Sequence, residues 1–179
     1  MTTDTGYYFA VIAVGNLIGP LVLGGLFDSI GRIPMIAGTY ILSGLLLLGT
    51  AFLFDQGVLT ATTMTACWSV VLFFASAGAS SAYLTVSEVF PMETRALAIA
   101  FFYAIGTLVG GVSGPLLFSS PVSSGKVSDT VIAFSVGATL MILAGIVEIF
   151  LGVKAERNGL EEIANPLTAE DVSTVAATG

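Results

Sequence analysis

Five long runs of apolar residues dominate the sequence, and the polar residues between them are grouped in short segments. An α-helix needs about 20 consecutive apolar residues to cross a hydrocarbon core of about 30 Å, and each run reaches that length. The runs are continuous and do not alternate between polar and apolar residues, which argues against the strands of a transmembrane barrel. The sequence therefore predicts an all-α integral membrane protein with about five transmembrane helices. The predicted spans are residues 7–27, 35–54, 59–85, 96–118 and 131–153.

The composition supports this class and argues against several others. Charged residues make up 9% of the chain, whereas soluble proteins average about 25%. The chain has no histidine, and its single cysteine, Cys67, lies in an apolar run as a small packing residue. Histidine catalysis, cysteine metal clusters and a disulfide framework are therefore excluded. No nucleophile–base set or carboxylate pair stands out, and the formal charge of -7 argues against a nucleic-acid partner. We expect neither an enzyme nor a bound cofactor.

Residues 1–153 form the predicted membrane region, and residues 154–179 form an acidic tail. The acidic side chains of the tail are Glu156, Glu161, Glu162, Glu170 and Asp171. A segment with this charge and few large apolar residues cannot bury a core of its own. We therefore expect a soluble tail that is partly disordered.

The distribution of basic residues predicts the orientation, because short cytoplasmic loops are enriched in Lys and Arg. With five crossings, one side of the membrane receives Arg32, Arg95, Lys154 and Arg157, and the other receives Lys126. This asymmetry predicts a cytoplasmic C-terminus and an outside N-terminus in a multi-pass protein of the plasma or inner membrane. No signal peptide is recognisable, so an outside N-terminus predicts that further helices precede this segment.

Two polar segments are predicted to lie at the same membrane face, because two crossings separate them. The first is Asp28–Pro34, and the second is Ser87–Arg95. A charged side chain at the bilayer centre costs about 2.5 kcal/mol or more, so both segments lie outside the hydrocarbon. Pro91 disfavours helical geometry at the preceding residue and predicts a helix end there. Arg32 can pair with Glu88, and Asp28 is placed near the N-terminus of the fourth span, where a carboxylate is favourable.

The two segments resemble two loop signatures of the major facilitator superfamily. The first has the spacing Gly-x-x-x-Asp-x-x-Gly-Arg, similar to the loop between the second and third helices of each six-helix half. The second has the spacing Glu-x-x-Pro-x-x-x-Arg, similar to a loop between the fourth and fifth helices in sugar-porter-like members. The matching residues are Gly24, Asp28, Gly31, Arg32, Glu88, Pro91 and Arg95. Ser29 and Ile33 depart from the family pattern, which is usually more basic at those places.

The resemblance implies five helices of a major-facilitator half-bundle, corresponding to the eighth to twelfth helices of a complete transporter. The second to sixth helices share this topology and are the alternative assignment. The implied function is secondary active transport of a small polar metabolite, a sugar or an organic acid, with the proton as the candidate coupling ion of a symporter. As a C-terminal portion in the lipid bilayer, the chain would need the missing N-terminal helices or a partner half. The other hypothesis is a non-transporting membrane subunit or regulator built from the same helices.

The seven signature residues are candidates for a cytoplasmic gate. Our hypothesis is that their contacts hold the cytoplasmic mouth closed in an outward-open state and break in an inward-open state. The alternative is that they only anchor the loops at the interface and fix the topology.

A few polar side chains lie within the predicted spans. Glu148 is a candidate proton-coupling carboxylate, although pairing with Lys154 or extension toward the interface is the favoured interpretation. The candidates for a substrate path are Asn16, Thr65, Trp68, Ser69, Ser76 and Tyr103. The alternative for the hydroxyls is a bond to a carbonyl one turn earlier, and for the tryptophan it is packing.

Glycines are spaced along the first and fourth spans as Gly-x-x-x-Gly-Pro, at Gly15–Pro20 and Gly110–Pro115. Small residues four apart form a close-packing face against another helix. Pro20 is tolerated if a neighbour satisfies the carbonyl that it frees. We therefore expect these glycines, including Gly106, to serve packing and not a hinge.

Overall fold

The computed structural model describes residues 3–152, apart from the side chains at 3, 4 and 122, and the predicted acidic tail lies outside this range. Within it the chain forms five helices, each long and apolar enough to cross a membrane. They are α1 (Thr3–Ile30), α2 (Arg32–Asp55), α3 (Ala61–Val89), α4 (Met92–Ser123) and α5 (Val127–Leu151). The predicted fold class, an all-α membrane protein, is confirmed.

The connection between α1 and α2 is shorter than the predicted polar segment Asp28–Pro34. Helical structure covers this segment except at Gly31. Pro34 lies in the first turn of α2, where backbone N–H groups have no acceptor within the helix, so the missing N–H of proline costs no helical hydrogen bond. Membrane helices continue past the hydrocarbon when their polar ends are hydrated or paired, so the apolar run alone underestimates the helix length.

The connection between α3 and α4 has the predicted geometry. Phe90 is extended, with φ -96° and ψ 141°, and the backbone N–H of Arg95 bonds to the carbonyl of Pro91 at 2.9 Å. Pro91 therefore ends α3 and lies directly before α4. At the other end, α4 continues through Pro121 to Ser123, past residue 118, where the fourth predicted span ends.

The backbones of α2 and α5 approach each other closely at two glycines. A Cβ atom added at Gly44 of α2 would lie 2.8 Å from the Ala138 carbonyl oxygen of α5. A Cβ atom added at Gly145 of α5 would lie 2.8 Å from the Ala37 carbonyl oxygen of α2. Each helix thus presents a glycine to the other, and the absence of a side chain lets the backbones approach.

Helix α1 packs along α3 through two of its predicted glycines. A Cβ atom at Gly15 would lie 2.8 Å from the Ser69 carbonyl oxygen, and one at Gly19 would collide with the Phe73 carbonyl oxygen. The packing role predicted for this pair is confirmed. A Cβ atom added at Gly24, further along the same helix, would have no neighbouring atom within 4 Å.

Helix α4 lies at the periphery, and none of its described residues is buried. Added Cβ atoms at Gly110, Gly111 and Gly114 would meet nothing within 4 Å, and one at Gly106 would meet Tyr83 Oη at 3.7 Å. The expectation that these glycines pack against another helix is therefore wrong for the described residues. The glycine spacing identifies a helix face that another helix can approach closely, but it does not predict which helix packs there.

A neighbouring helix satisfies the carbonyl that Pro20 frees in α1. Proline has no N–H, so the carbonyl of Asn16 lacks its usual helical donor. The Ser76 hydroxyl of α3 donates to this carbonyl at 2.8 Å. This confirms the prediction, and the hydrogen bond ties α1 to α3 at mid-helix.

We expect Ser76→Ala to lower the free energy of unfolding by about 0.6–1.7 kcal/mol, the range for hydrogen bonds between membrane helices. In a Pro20→Ala background residue 20 regains its N–H, so the same change should cost much less. Unfolding in SDS of the four proteins of this cycle measures both costs. An equal cost in the two backgrounds would contradict the assigned role of Ser76.

Candidate cytoplasmic gate

Arg32, the first residue of α2, connects three helices at one end of the bundle. Its Nη2 lies 2.6 Å from Glu88 Oε1 of α3 and 3.1 Å from Asp28 Oδ1 of α1. Its Nη1 donates to Ser81 Oγ of α3 at 3.4 Å. The predicted pair between Arg32 and Glu88 is therefore present. It also places the two polar segments at the same end of the bundle, as the count of crossings requires.

The two carboxylates contribute unequally to this cluster. The Arg32 side chain is 6% exposed, that of Glu88 is 25% exposed and that of Asp28 is 69% exposed. A short charge-assisted hydrogen bond is stronger when water is excluded, whereas exposed pairs within one turn contribute at most about 1 kcal/mol. The bond from Arg32 to Glu88 is thus the principal link between α2 and α3 here.

Gly31 allows α2 to start directly after α1 ends. Its backbone has φ 115° and ψ 152°, a region that essentially glycine alone adopts. The reversal over one residue places Arg32 one turn from Asp28 and directs its side chain into the bundle. The backbone geometry at this position therefore requires glycine at residue 31 of the signature.

Gly31→Ala is expected to lower the free energy of unfolding by about 1–3 kcal/mol, because alanine is strained at this φ. Gly38→Ala, in the interior of α2 with nothing within 4 Å of the new Cβ, is the matched control. It should be neutral or slightly stabilising. Thermal unfolding in detergent measures both, and equal effects would contradict the proposed strain.

The remaining signature residues lie around this cluster. Gly24 borders a small cavity beside Arg32. Arg95 is half-buried in the first turn of α4. The ion pairs found among residues 3–152 both involve Arg32, and Arg95 takes part in neither.

The residues around Arg32 lie within a longer match to a known family. Residues 2–174 match the sequence model of the Major Facilitator Superfamily. The chain belongs to this superfamily. Its members are membrane transporters and not enzymes, so the chain is a multi-pass membrane protein of a transporter family. Comparisons with curated proteins and with solved structures give no match.

As a major facilitator protein, the chain carries its substrate-path candidates at several places in the bundle. Asn16 and Tyr103 are exposed, and the Tyr103 ring lies 5.8 Å from that of Tyr83. The hydroxyl of Ser76 is bonded to the Asn16 carbonyl, as described above. These candidates form no single cluster among the described residues, and their role in a substrate path stays a prediction.

Of the other candidates, all on α3, the two hydroxyl residues make contacts within their own helix and the tryptophan contacts α5. Thr65 Oγ1 donates to the Ala61 carbonyl and Ser69 Oγ to the Thr65 carbonyl, each at 2.8 Å. The ring of Trp68 lies 5.7 Å from that of Phe134 in an edge arrangement. These are the contacts expected of structural side chains, and they leave the hydroxyl lone pairs as acceptors.

Glu148 lies in the last turn of α5 and is half-buried. A Cβ atom added at Gly152 would lie 2.8 Å from both Glu148 Oε1 and Ile33 Cγ1. The carboxylate is therefore close to the start of α2, at the depth of Arg32. Its predicted partner, Lys154, lies outside the described residues.

Ser81 belongs to the cluster but is absent from the sequence-based prediction. It lies seven residues before Glu88, which is two helical turns, so both side chains share one face of α3. That spacing is the signal that identifies it. Within residues 3–152, no group of His, Cys, Asp and Glu side chains is arranged to hold a metal ion.

Proposed function

We propose that the chain is part of a secondary active transporter that moves a small polar metabolite, a sugar or an organic acid, by alternating access. The observation that carries this proposal is the buried Arg32, which holds α1, α2 and α3 together at one end of the bundle. The family match supports transport in general, and the gate signatures support the sugar-porter-like type. Because these contacts all involve the Arg32 guanidinium, one movement of the helices can break them together. A gate that switches between a closed and an open state needs contacts of this kind.

The gate works through the shared nitrogen of Arg32. When α1 and α3 are close at this end, Nη2 bonds to both carboxylates and the mouth is closed. Separation of α1 from α3 removes at least one carboxylate from reach and hydrates the guanidinium, which reduces the cost of opening. We assign this end to the cytoplasm because Arg32 and Arg95 lie there, and the C-terminus to the same side.

Further helices of the transporter complete the bundle in this proposal. On α1, the pattern Gly15–Pro20 is covered by α3, which supplies both close backbone contact and a hydroxyl for the freed carbonyl. On α4, the same pattern at Gly110–Pro115 is open. Asn16 and Tyr103 also expose polar groups within the spans, which lipid tails cannot pair. We therefore assign these faces to the missing N-terminal helices or to a partner half.

We place Glu148 in the gate region at the cytoplasmic interface and not on a proton path through the membrane. Its position beside Ile33 supports this assignment. If Glu148 coupled protons to transport, Glu148→Gln would abolish the response of uptake to a proton gradient. We expect that response, where present, to survive this substitution.

Uptake by the purified protein tests the proposed function. The chain is tagged, purified from its native membrane with the helices that accompany it, and reconstituted in liposomes. Uptake of radiolabelled glucose and radiolabelled malate is measured with and without an inward proton gradient. We expect uptake of at least one compound above that of protein-free liposomes.

Asp28→Asn should reduce this uptake several-fold, because it removes one carboxylate of the gate. Asp55→Asn, an exposed acid at the opposite end of α2, is the matched control and should leave uptake unchanged. Uptake of neither compound would contradict the proposed substrate class and favour a non-transporting subunit. Equal uptake by both variants and the wild type would contradict the gate.

A further inference from the structure

A small cavity lies between α1 and α3 beside the Arg32 guanidinium. Its volume is about 80 Å³, and its polar wall is formed by Asp28, Arg32, Ser80 and Ser81. Phe27 forms part of its apolar wall and is 2% exposed. The cavity thus combines charged and hydroxyl groups with a buried aromatic ring.

Arg32 brings a donor to this region that no other described residue satisfies. The residue is 5% exposed, and its two terminal nitrogens bond to Ser81 and to the carboxylates. Its Nε is buried and has no hydrogen-bond partner among residues 3–152. A buried N–H of a charged group is costly to leave without an acceptor. The local chemistry therefore requires an acceptor that residues 3–152 do not provide.

The size and lining of the cavity define the ligand. One internal water needs a cavity of about 10–15 Å³ and two to four polar partners. This cavity, at about 80 Å³, has room for at least one water. An anion would be repelled by the neighbouring carboxylates of Asp28 and Glu88, whereas a metal cation cannot use an N–H as a ligand. Water accepts from Arg32 and donates to a hydroxyl or carboxylate oxygen, so it matches every group on the wall.

We propose that this cavity is an ordered-water site, in which water accepts a hydrogen bond from Arg32 Nε. The same water donates to Ser80 Oγ, Ser81 Oγ or the Asp28 carboxylate. The site follows from the geometry and does not depend on transport. Its consequence for the gate does rest on the proposed function: a hydrated guanidinium keeps a hydrogen-bond partner when the gate opens.

Hydroxyl-radical footprinting of the protein in lipid nanodiscs tests this site. Radiolysis of a bound water generates radicals that modify the side chains beside it, and mass spectrometry measures the rate for each ring. Phe27 should be modified several-fold faster than Phe134, which is similarly buried, at 6% exposure, and does not line the cavity. Phe27 modified no faster than Phe134 would overturn the proposal.

Two glycine variants separate bound water from radicals that arrive by another route. Gly24 lines the cavity, and a Cβ atom added there meets nothing within 4 Å, so we expect the valine of Gly24→Val to occupy part of the cavity. It should lower Phe27 modification to the level of Phe134. Gly25→Val, equally open but not in the cavity wall, should leave the rate unchanged. Unchanged Phe27 modification in Gly24→Val, or equal losses in both variants, would overturn the water site whether or not the protein transports.

Discussion

Replacing Arg32 with glutamine is expected to lower the free energy of unfolding by about 3 kcal/mol, the lower end of the range for breaking a buried ion pair. The low end applies because Glu88 remains 25% exposed and Asp28 69% exposed, so water compensates part of the loss. The substitution removes the hydrogen bonds to Glu88 and Ser81 and the ion pair with Asp28 together. SDS unfolding in mixed micelles measures the change, and a loss of uptake in the liposome assay should accompany it.

Arg32→Lys is the matched control, because it keeps the charge but replaces the planar fork by a single ammonium. An ammonium can pair with Glu88 but cannot reproduce the separate bond from Nη1 to Ser81. Its unfolding free energy should therefore lie between those of the wild type and Arg32→Gln. If Arg32→Gln unfolds as the wild type does, the Arg32 contacts do not stabilise this end of the bundle.

Gly44→Val should destabilise the bundle by about 1–3 kcal/mol, because it overpacks the interface between α2 and α5. An added Cβ atom would lie 2.6 Å from Ile142 Cγ1 and 2.8 Å from the Ala138 carbonyl oxygen. The backbone oxygen cannot move unless α5 moves away from α2. The same unfolding assay in SDS measures this loss.

Gly49→Val on the same helix controls for the change in helix propensity. An added Cβ at Gly49 meets nothing within 4 Å, so the valine side chain points into open space or lipid. This variant should unfold close to the wild type. A loss equal to that of Gly44→Val would show that valine in α2, and not the contact with α5, is responsible.

Several local features were predictable from the sequence because their causes are local. The apolar runs are long enough to span a bilayer, and they predict the five helices. Pro91 forces Phe90 out of helical geometry, and the structure has Phe90 extended. The pairing of Arg32 with Glu88 was also accessible, because charges at the same end of adjacent spans have few other partners.

The partners of the glycines were not predictable, because a small residue identifies a face and not the helix that covers it. Gly15 and Gly110 occur in the same pattern, yet α3 covers the first, whereas no described residue lies within 4 Å of a Cβ added at the second. Gly44 and Gly145 have no comparable pattern, yet a Cβ atom added at either would lie 2.8 Å from a carbonyl oxygen of the facing helix. Membrane helices lack a strong apolar preference for one another, so packing geometry decides which faces meet.

The sequence by itself determined the class of protein, the number of apolar spans and the positions of the charged segments between them, because hydrocarbon thickness and the cost of buried charge act on the linear chain. The tertiary structure alone decided that Ser81 bonds to Arg32 and that a cavity lies beside this guanidinium. It also decided that the carbonyl freed by Pro20 is bonded by Ser76. These features depend on how residues far apart in the chain approach across two helices, and no local pattern sets that distance.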